Sequence, residues 1–364
     1  MSADPLSTPL TRALGCRLPV IQTAMGWVAE PALVAATVEA GGFGFLGAAV
    51  MRPEEAAAKI ADLGARTRMP FGVNFHMFQP GAEAIVETIL ANRDRIRAVS
   101  FGRGPDARAI GRFKDAGILC IPTVGAVKHA QKMAKLGVDM LVVQGGEGGG
   151  HTGSVATTIL LPQILDTVSL PVIAAGGFAD GRGLAAALAY GAAGIAMGTR
   201  FLLTAESPVP HAIKQRYLAA GTDAIAVTSK VDGLPQRMLR NRALARIEKA
   251  GALSNWLRAF EAGMVMKRRT GATWGEMLRA AQGMRAHGGL GLADALRAAA
   301  APDLIQRAMI DGDGDHGLMA TGQVAGRIDT LPSVAELLIA IERDARARIA
   351  AMTDPAPSQQ KAFA

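Results

Sequence analysis

Eight short apolar runs recur through the first ~200 residues, and an amphipathic stretch follows nearly every one. They cover residues 19–23, 43–46, 71–75, 96–101, 118–122, 140–144, 172–175 and 195–197. The intervening segments, 31–40 and 53–63 among them, group their charged residues on one side, as crossover helices require. A strand–helix unit repeated in this way predicts a closed (β/α)8 TIM barrel, whereas a doubly wound sheet usually has fewer strands and a reversal of their order. Functional groups on such barrels come from the C-terminal ends of different strands, so residues remote in sequence are expected to meet on one rim.

Composition agrees with a large core. Of 364 residues, 50% are apolar and 19% charged, which excludes a disordered or coiled-coil chain. Aromatic residues make up 4% while glycine occurs 43 times, so the interior is expected to be aliphatic with close backbone contacts. The formal charge of +8 is spread along helical segments without interleaved aromatics, which favours an anionic small molecule over nucleic acid as the partner. Cys16 and Cys120 have neither zinc spacing nor the pattern of a disulfide framework, and a cytoplasmic location is expected. No basic stretch leads into an apolar core at the N-terminus. The longest apolar run, 183–198, reads as helix, glycine and strand, so neither export nor a membrane span is expected. Monomer and homo-oligomer both remain open.

Residues 1–208 are read as the barrel. Beyond them the rhythm stops, and 209–322 read as a second, mostly helical lid domain closing the barrel mouth. Its long polar-faced helices, 209–269, are joined by Thr228-Ser229-Lys230-Val231-Asp232-Gly233-Leu234-Pro235, and 273–300 is helical again. Residues 323–354 form a C-terminal segment, with a helix over 333–349 that returns to the barrel wall, and 355–364 a disordered tail.

The chemistry concentrates after the sixth run, in Gln144-Gly145-Gly146-Glu147-Gly148-Gly149-Gly150-His151-Thr152-Gly153. Glycine is costly to order and is kept where backbone turns sharply or lies against a ligand. His151 is the candidate acid or base, because an imidazole exchanges a proton near neutrality. Glu147 either orients it, pairs with it or caps the loop. Ala174-Ala175-Gly176-Gly177, with Asp180-Gly181-Arg182-Gly183 behind it, and Gly198-Thr199-Arg200 offer backbone N–H groups for a phosphate between strands seven and eight. If that phosphate belongs to a flavin, Ala24, Met25, Gly26, Asn74 and Gln144 suit the ring edge, since a carboxamide both donates and accepts. Lys128 either supplies charge near the cofactor or is an ordinary solvated lysine, and His76 is a weaker second acid–base candidate.

Two patterns mislead. Gly42-Phe43-Gly44-Phe45-Leu46-Gly47 fits a dinucleotide fingerprint, but its bulky apolar interior reads as strand two. Asp311, Asp313 and Asp315 imitate the start of a calcium loop, yet His316 replaces its glycine and Gly322 its final glutamate. No histidine pair suggests a catalytic metal, and none is expected.

Four ordered motifs resemble the nitronate monooxygenase superfamily: Gln22-Thr23-Ala24-Met25-Gly26, Phe71-Gly72-Val73-Asn74, Gly149-Gly150-His151-Thr152-Gly153, and Ala175-Gly176-Gly177 with Met197-Gly198-Thr199-Arg200-Phe201. The resemblance covers nearly the whole chain and implies FMN on a (β/α)8 barrel, with Gly149, Gly150, Gly176, Gly177, Gly198 and Thr199 among its contacts. A closer likeness, carried also by residues 24–29, 143–153, 231–235 and 320–326, is to the acyl-CoA branch of bacterial steroid degradation. It implies FMN-dependent dehydrogenation of a fused-ring CoA thioester, with NAD(P)H or NAD(P)+ as electron partner. Lys214, Arg216, Lys230, Arg237 and Arg240 either attract the CoA phosphates or are ordinary solvated charges. The alternatives are oxidation of alkyl nitronates by O2, reduction of enoyl or quinone substrates by NAD(P)H, and a flavin- or CoA-binding protein without chemistry.

Overall fold

Prolines open several helices of the first part of the chain. Pro9, Pro31 and Pro53 each begin one, where a φ near −65° is already helical and the missing N–H has no partner to lose. In Pro9–Leu14, Thr8 and Thr11 form a reciprocal capping box and Gly15, at φ 72°, ends the helix. Helix Pro53–Arg66 buries Ala56, Ile60 and Leu63 at i, i+4 and i+7, the stripe a crossover helix turns toward a sheet.

The computed structural model describes residues 4–77, 79, 81–102, 107–249 and 292–353. It divides into two compact units, Met1–Glu147 with Gly153–Pro208 and Ile328–Ala364, and Gly148–Thr152 with Val209–Arg327. No helix among the described residues is long and apolar enough to cross a membrane.

The first unit is built on β1 (Val20–Gln22), β2 (Phe43–Gly47), β3 (Phe71–Asn74), β4 (Ile96–Ser100), β5 (Leu119–Cys120 and Thr123–Val124), β6 (Leu141–Gln144), β7 (Val172–Ala175) and β8 (Gly194–Met197). Neighbours pair in parallel, and β1 lies between β2 and β8. Closure depends on β5. Its first half pairs with β4 and its second with β6, so what look like the two edges of one sheet are halves of one strand. Pro122 lies between them without a donor. Ile121 and Thr123 on either side give their N–H groups to the carbonyls of Val99 (2.8 Å) and Phe101 (3.2 Å), while Pro122 accepts from Val142 at 2.9 Å. The result is the expected (β/α)8 TIM barrel, with β5 carried past the proline that was expected to end it.

Its core gathers Ile21, Phe43, Phe45, Ala98, Ile121, Val142, Ile173, Ala175 and Ala196, together with Leu10 and Leu14 of the N-terminal helix. Phe43 and Phe45 meet edge to face at 5.2 Å, and Phe45 fills the space a side chain on Gly72 would need. Each large apolar group buried this way contributes about 1.5–3 kcal/mol. Thr8 donates its hydroxyl to the Ala193 carbonyl at 2.6 Å, immediately before β8 begins. The N-terminal helix therefore seals the end of the barrel where the strands start, leaving the other end for chemistry. Helix Val334–Thr353 packs on Gly181–Ala189, where Gly181 lets the backbone of Ile341 and Ala345 approach. Its first N–H is held by the Glu206 carboxylate at 2.9 Å.

In the second unit the segment 228–235 is not a joint between helices. Ile225–Thr228 and Gln236–Leu239 are antiparallel strands, and the segment between them is their hairpin loop. Gly150–His151 adds a third strand, with His151 opposite Gln236, so the glycine stretch read as a loop is partly sheet. Ala226, Val231, Met238, Ala243, Leu244, Ala301 and Leu318 form this unit's own core. Asn241 caps helix Arg242–Lys249 through the N–H of Leu244 at 2.8 Å. The helices expected within 250–291 and the tail at 355–364 lie outside the described residues; helix Leu292–Met309 takes up the pattern beyond them.

Candidate active site

The ends of the barrel strands carry the residues expected to hold a cofactor. After β1, the Met25 carbonyl accepts from Val28 at 3.1 Å and Ala29 at 2.8 Å. This tight turn holds Trp27 at φ 60°, a left-handed conformation that costs a bulky residue about 1–2 kcal/mol. Such strain persists where the surroundings fix a loop for a purpose. A Cβ on Gly198 would lie 3.1 Å from Thr23 Oγ1 and 3.4 Å from Met25 Sδ, so the turns after β1 and β8 abut. Asn74 ends β3 and donates its amide to the Ser100 carbonyl at 3.1 Å, and Gln144 ends β6, half-buried. After β7, Gly176 and Gly177 take φ values of 99° and 85°. A Cβ on Gly176 would sit 3.0 Å from Thr157 Oγ1.

These ends fit a flavin. Backbone without side chains follows β7 and β8, where a barrel of this kind holds phosphate, and carboxamides end β3 and β6. Two expected parts of the cradle are used otherwise. The Asp180 carboxylate already accepts from the N–H groups of Arg182 (3.1 Å) and Gly183 (3.3 Å), so the helix after β7 does not offer them to a phosphate. Arg200 is buried and donates to the carbonyls of Leu203 and Thr330, the latter at 2.8 Å; burial lowers its pKa to about 10, against the pull of Asp329. The Glu147 carboxylate accepts from the Thr157 N–H at 2.9 Å and hydroxyl at 2.7 Å, fastening the start of helix Thr157–Leu165. Thr157, which no sequence pattern singled out, thus ties the ends of β6 and β7 together. Lys128 is exposed on the first turn of Val127–Lys135, and the backbone N–H of His76 donates to Gln79 Oε1 at 2.8 Å.

The partner of His151 lies 81 positions further along the chain. Its Nε2 stands 2.6 Å from Asp232 Oδ2, the carboxylate side chain being 7% exposed and the imidazole 51%. The hairpin makes this pairing possible, since it returns the chain beside His151 and turns it at Asp232. Asp232 also accepts from the N–H of Leu234 at 3.0 Å, and Gln236 hydrogen-bonds the same carboxylate while its Nε2 lies 3.3 Å from the ring nitrogen. Burial by itself raises the Asp232 pKa, but the bonds and charge of His151, then Leu234 and Gln236, outweigh it and hold the carboxyl below its ordinary value. A Cβ on Gly149 would lie 2.5 Å from the Thr321 carbonyl carbon, which explains the glycine just before this strand.

Much of the basic group expected to meet CoA is committed elsewhere. Arg216 pairs with Asp315 at 2.9 Å and Arg240 with Glu248 at 3.5 Å. Lys230 donates to the Glu248 carbonyl and Lys214 is buried. Asp313 binds His316, and no group of three or more histidine, cysteine or carboxylate residues placed to hold a metal occurs among the described residues.

The barrel fold and the similarities that follow define an oxidoreductase of the flavoenzyme class. The chain belongs to the nitronate monooxygenase family, whose profile matches residues 7–344, and that membership implies a flavin cofactor. It is 48% identical over 93% of its length, and 96% of the relative's, to (3aS,4S,5R,7aS)-5-hydroxy-7a-methyl-1-oxo-octahydro-1H-indene-4-carboxyl-CoA dehydrogenase of Mycobacterium tuberculosis. The protein of the same name from Rhodococcus jostii is 44% identical over 95% of this chain and 98% of its own. Among solved structures, FabK from Thermotoga maritima is 30% identical, with a TM-score of 0.77 over 95% of this chain and 98% of that one.

Proposed function

We propose that this protein is an FMN-dependent dehydrogenase of a CoA-linked, fused-ring intermediate of steroid degradation, with a nicotinamide as electron partner. The two dehydrogenases that match it nearly end to end support the substrate class. The observation that carries the chemistry is an imidazole held by a buried carboxylate on the glycine stretch that leaves β6.

In this reading Gly176, Gly177, Gly198 and Thr199 hold the FMN phosphate through backbone and hydroxyl, and Ala24, Met25, Gly26, Asn74 and Gln144 hold the ring edge. Glu147 fixes the departure of the loop through Thr157, and Gly149 and Gly150 keep its backbone free of side chains. A flavin held there would supply two-electron, hydride-accepting chemistry. The matching proton passes from the substrate to His151, so the substrate gives up two electrons and two hydrogens.

The test is a visible spectrum of the purified protein followed by anaerobic titration with the hydroxy-methyl-oxo-indane carboxyl-CoA, NADH and NADPH. A yellow protein bleached by the CoA ester is expected. A protein that takes up no FMN, or one that oxidises propyl nitronate with O2 but leaves the CoA ester untouched, overturns the reading.

A further inference from the structure

We infer that Asp232 is a positioning residue that locks the neutral His151 ring with its proton on Nε2 and so makes Nδ1 the nitrogen that exchanges a proton with the substrate. The inference deepens the proposed function and rests on it for the identity of the proton donor. Its ground is geometric. A carboxylate kept ionised by several hydrogen bonds accepts and does not donate, so the 2.6 Å contact requires a proton on Nε2. A neutral imidazole with Nε2 protonated carries its lone pair on Nδ1. When Nδ1 takes the substrate proton, the ring becomes an imidazolium whose charge the adjacent carboxylate stabilises, while Asp232 keeps its own charge.

The surroundings hold Asp232 in that role. It sits at the turn of the hairpin, with one oxygen on the Leu234 N–H and the other on the ring. Gln236, opposite His151 in the strand register, braces the carboxylate from the side. Arg237, the next residue, pairs with Gly150, and the alternation of a strand turns its side chain to the other face. The charge in contact with the ring nitrogen is the Asp232 carboxylate.

The decisive variant is Asp232→Asn, whose remaining carbonyl oxygen can still accept from Leu234 and preserve the turn. Long-range proton–nitrogen NMR correlations of ¹⁵N-histidine-labelled resting holoprotein report which ring nitrogen carries the proton. We expect an Nε2–H ring in the wild type, and in Asp232→Asn a shift toward the Nδ1–H form. Turnover should lose about 10²-fold in kcat with little change in KM or bound flavin, and Asp232→Glu should recover part of it. An Nδ1–H ring in the wild type, or an Asn variant whose ring keeps its proton on Nε2 as before, overturns the inference. So does a loss of kcat that comes only with loss of flavin. Turnover unchanged in His151→Ala would instead remove the functional reading, because the ring measurements need no substrate.

Discussion

At the scale of single residues, the glycines and carboxylates around His151 do different work from the one their sequence context suggests. Gly149 is required by the backbone of Thr321 and Gly322, which lies where a side chain would stand. Gly149→Ala should lower stability by about 1–3 kcal/mol, because backbone cannot rotate away as a flexible side chain would; a urea titration measures it, and an unchanged midpoint would refute the packing argument. Asp232 contributes to stability in a pH-dependent way. Its folded pKa lies below the ordinary 3.8, so its stabilisation is complete above that value and is lost as pH falls through the lower folded one. Unfolding midpoints taken from pH 5 to pH 2.5 should therefore fall more steeply for wild type than for Asp232→Asn. Parallel curves would show that the hydrogen bonds on this carboxylate do not favour its charged form.

At the scale of elements, the joints decide where chemistry can sit. The helix after β7 is capped by its own Asp180, whose carboxylate occupies two of the first-turn N–H groups. Asp180→Ala should cost about 1 kcal/mol of stability, as loss of an N-cap does, and leave flavin content unchanged. A variant that loses flavin with its stability intact would instead place this helix start in the cofactor site. The segment 228–235 shows how an element can be misread. Its flanks are too short to declare a period of their own, but Ile225–Thr228 and Gln236–Leu239 pair with each other, and that pairing delivers Asp232 to His151. Helical and strand periodicities are hard to separate over four-residue runs, and the match between positions 151 and 232 leaves no local trace.

At the scale of the whole molecule, the surplus of +8 remains even though several basic residues of the second unit are already paired. If this excess draws in a ligand bearing several phosphates, KM for the CoA thioester should climb between 50 and 500 mM salt while kcat holds steady. A KM indifferent to salt would mean that binding rests on direct contacts. The barrel itself was legible in the sequence because it is a local pattern repeated: apolar runs of strand length, amphipathic helices and turn glycines each declare themselves within a dozen residues. The same repetition places Asn74, Gln144, Gly176 and Gly198 at strand ends. The pairing of His151 with Asp232, the diversion of Glu147 to Thr157 and of Arg200 to the Leu203 and Thr330 carbonyls, and the passage of β5 beyond Pro122 were decided by tertiary structure. Each depends on which distant groups come within about 3 Å of one another, where hydrogen bonds form, and periodicity along a chain carries no record of that distance.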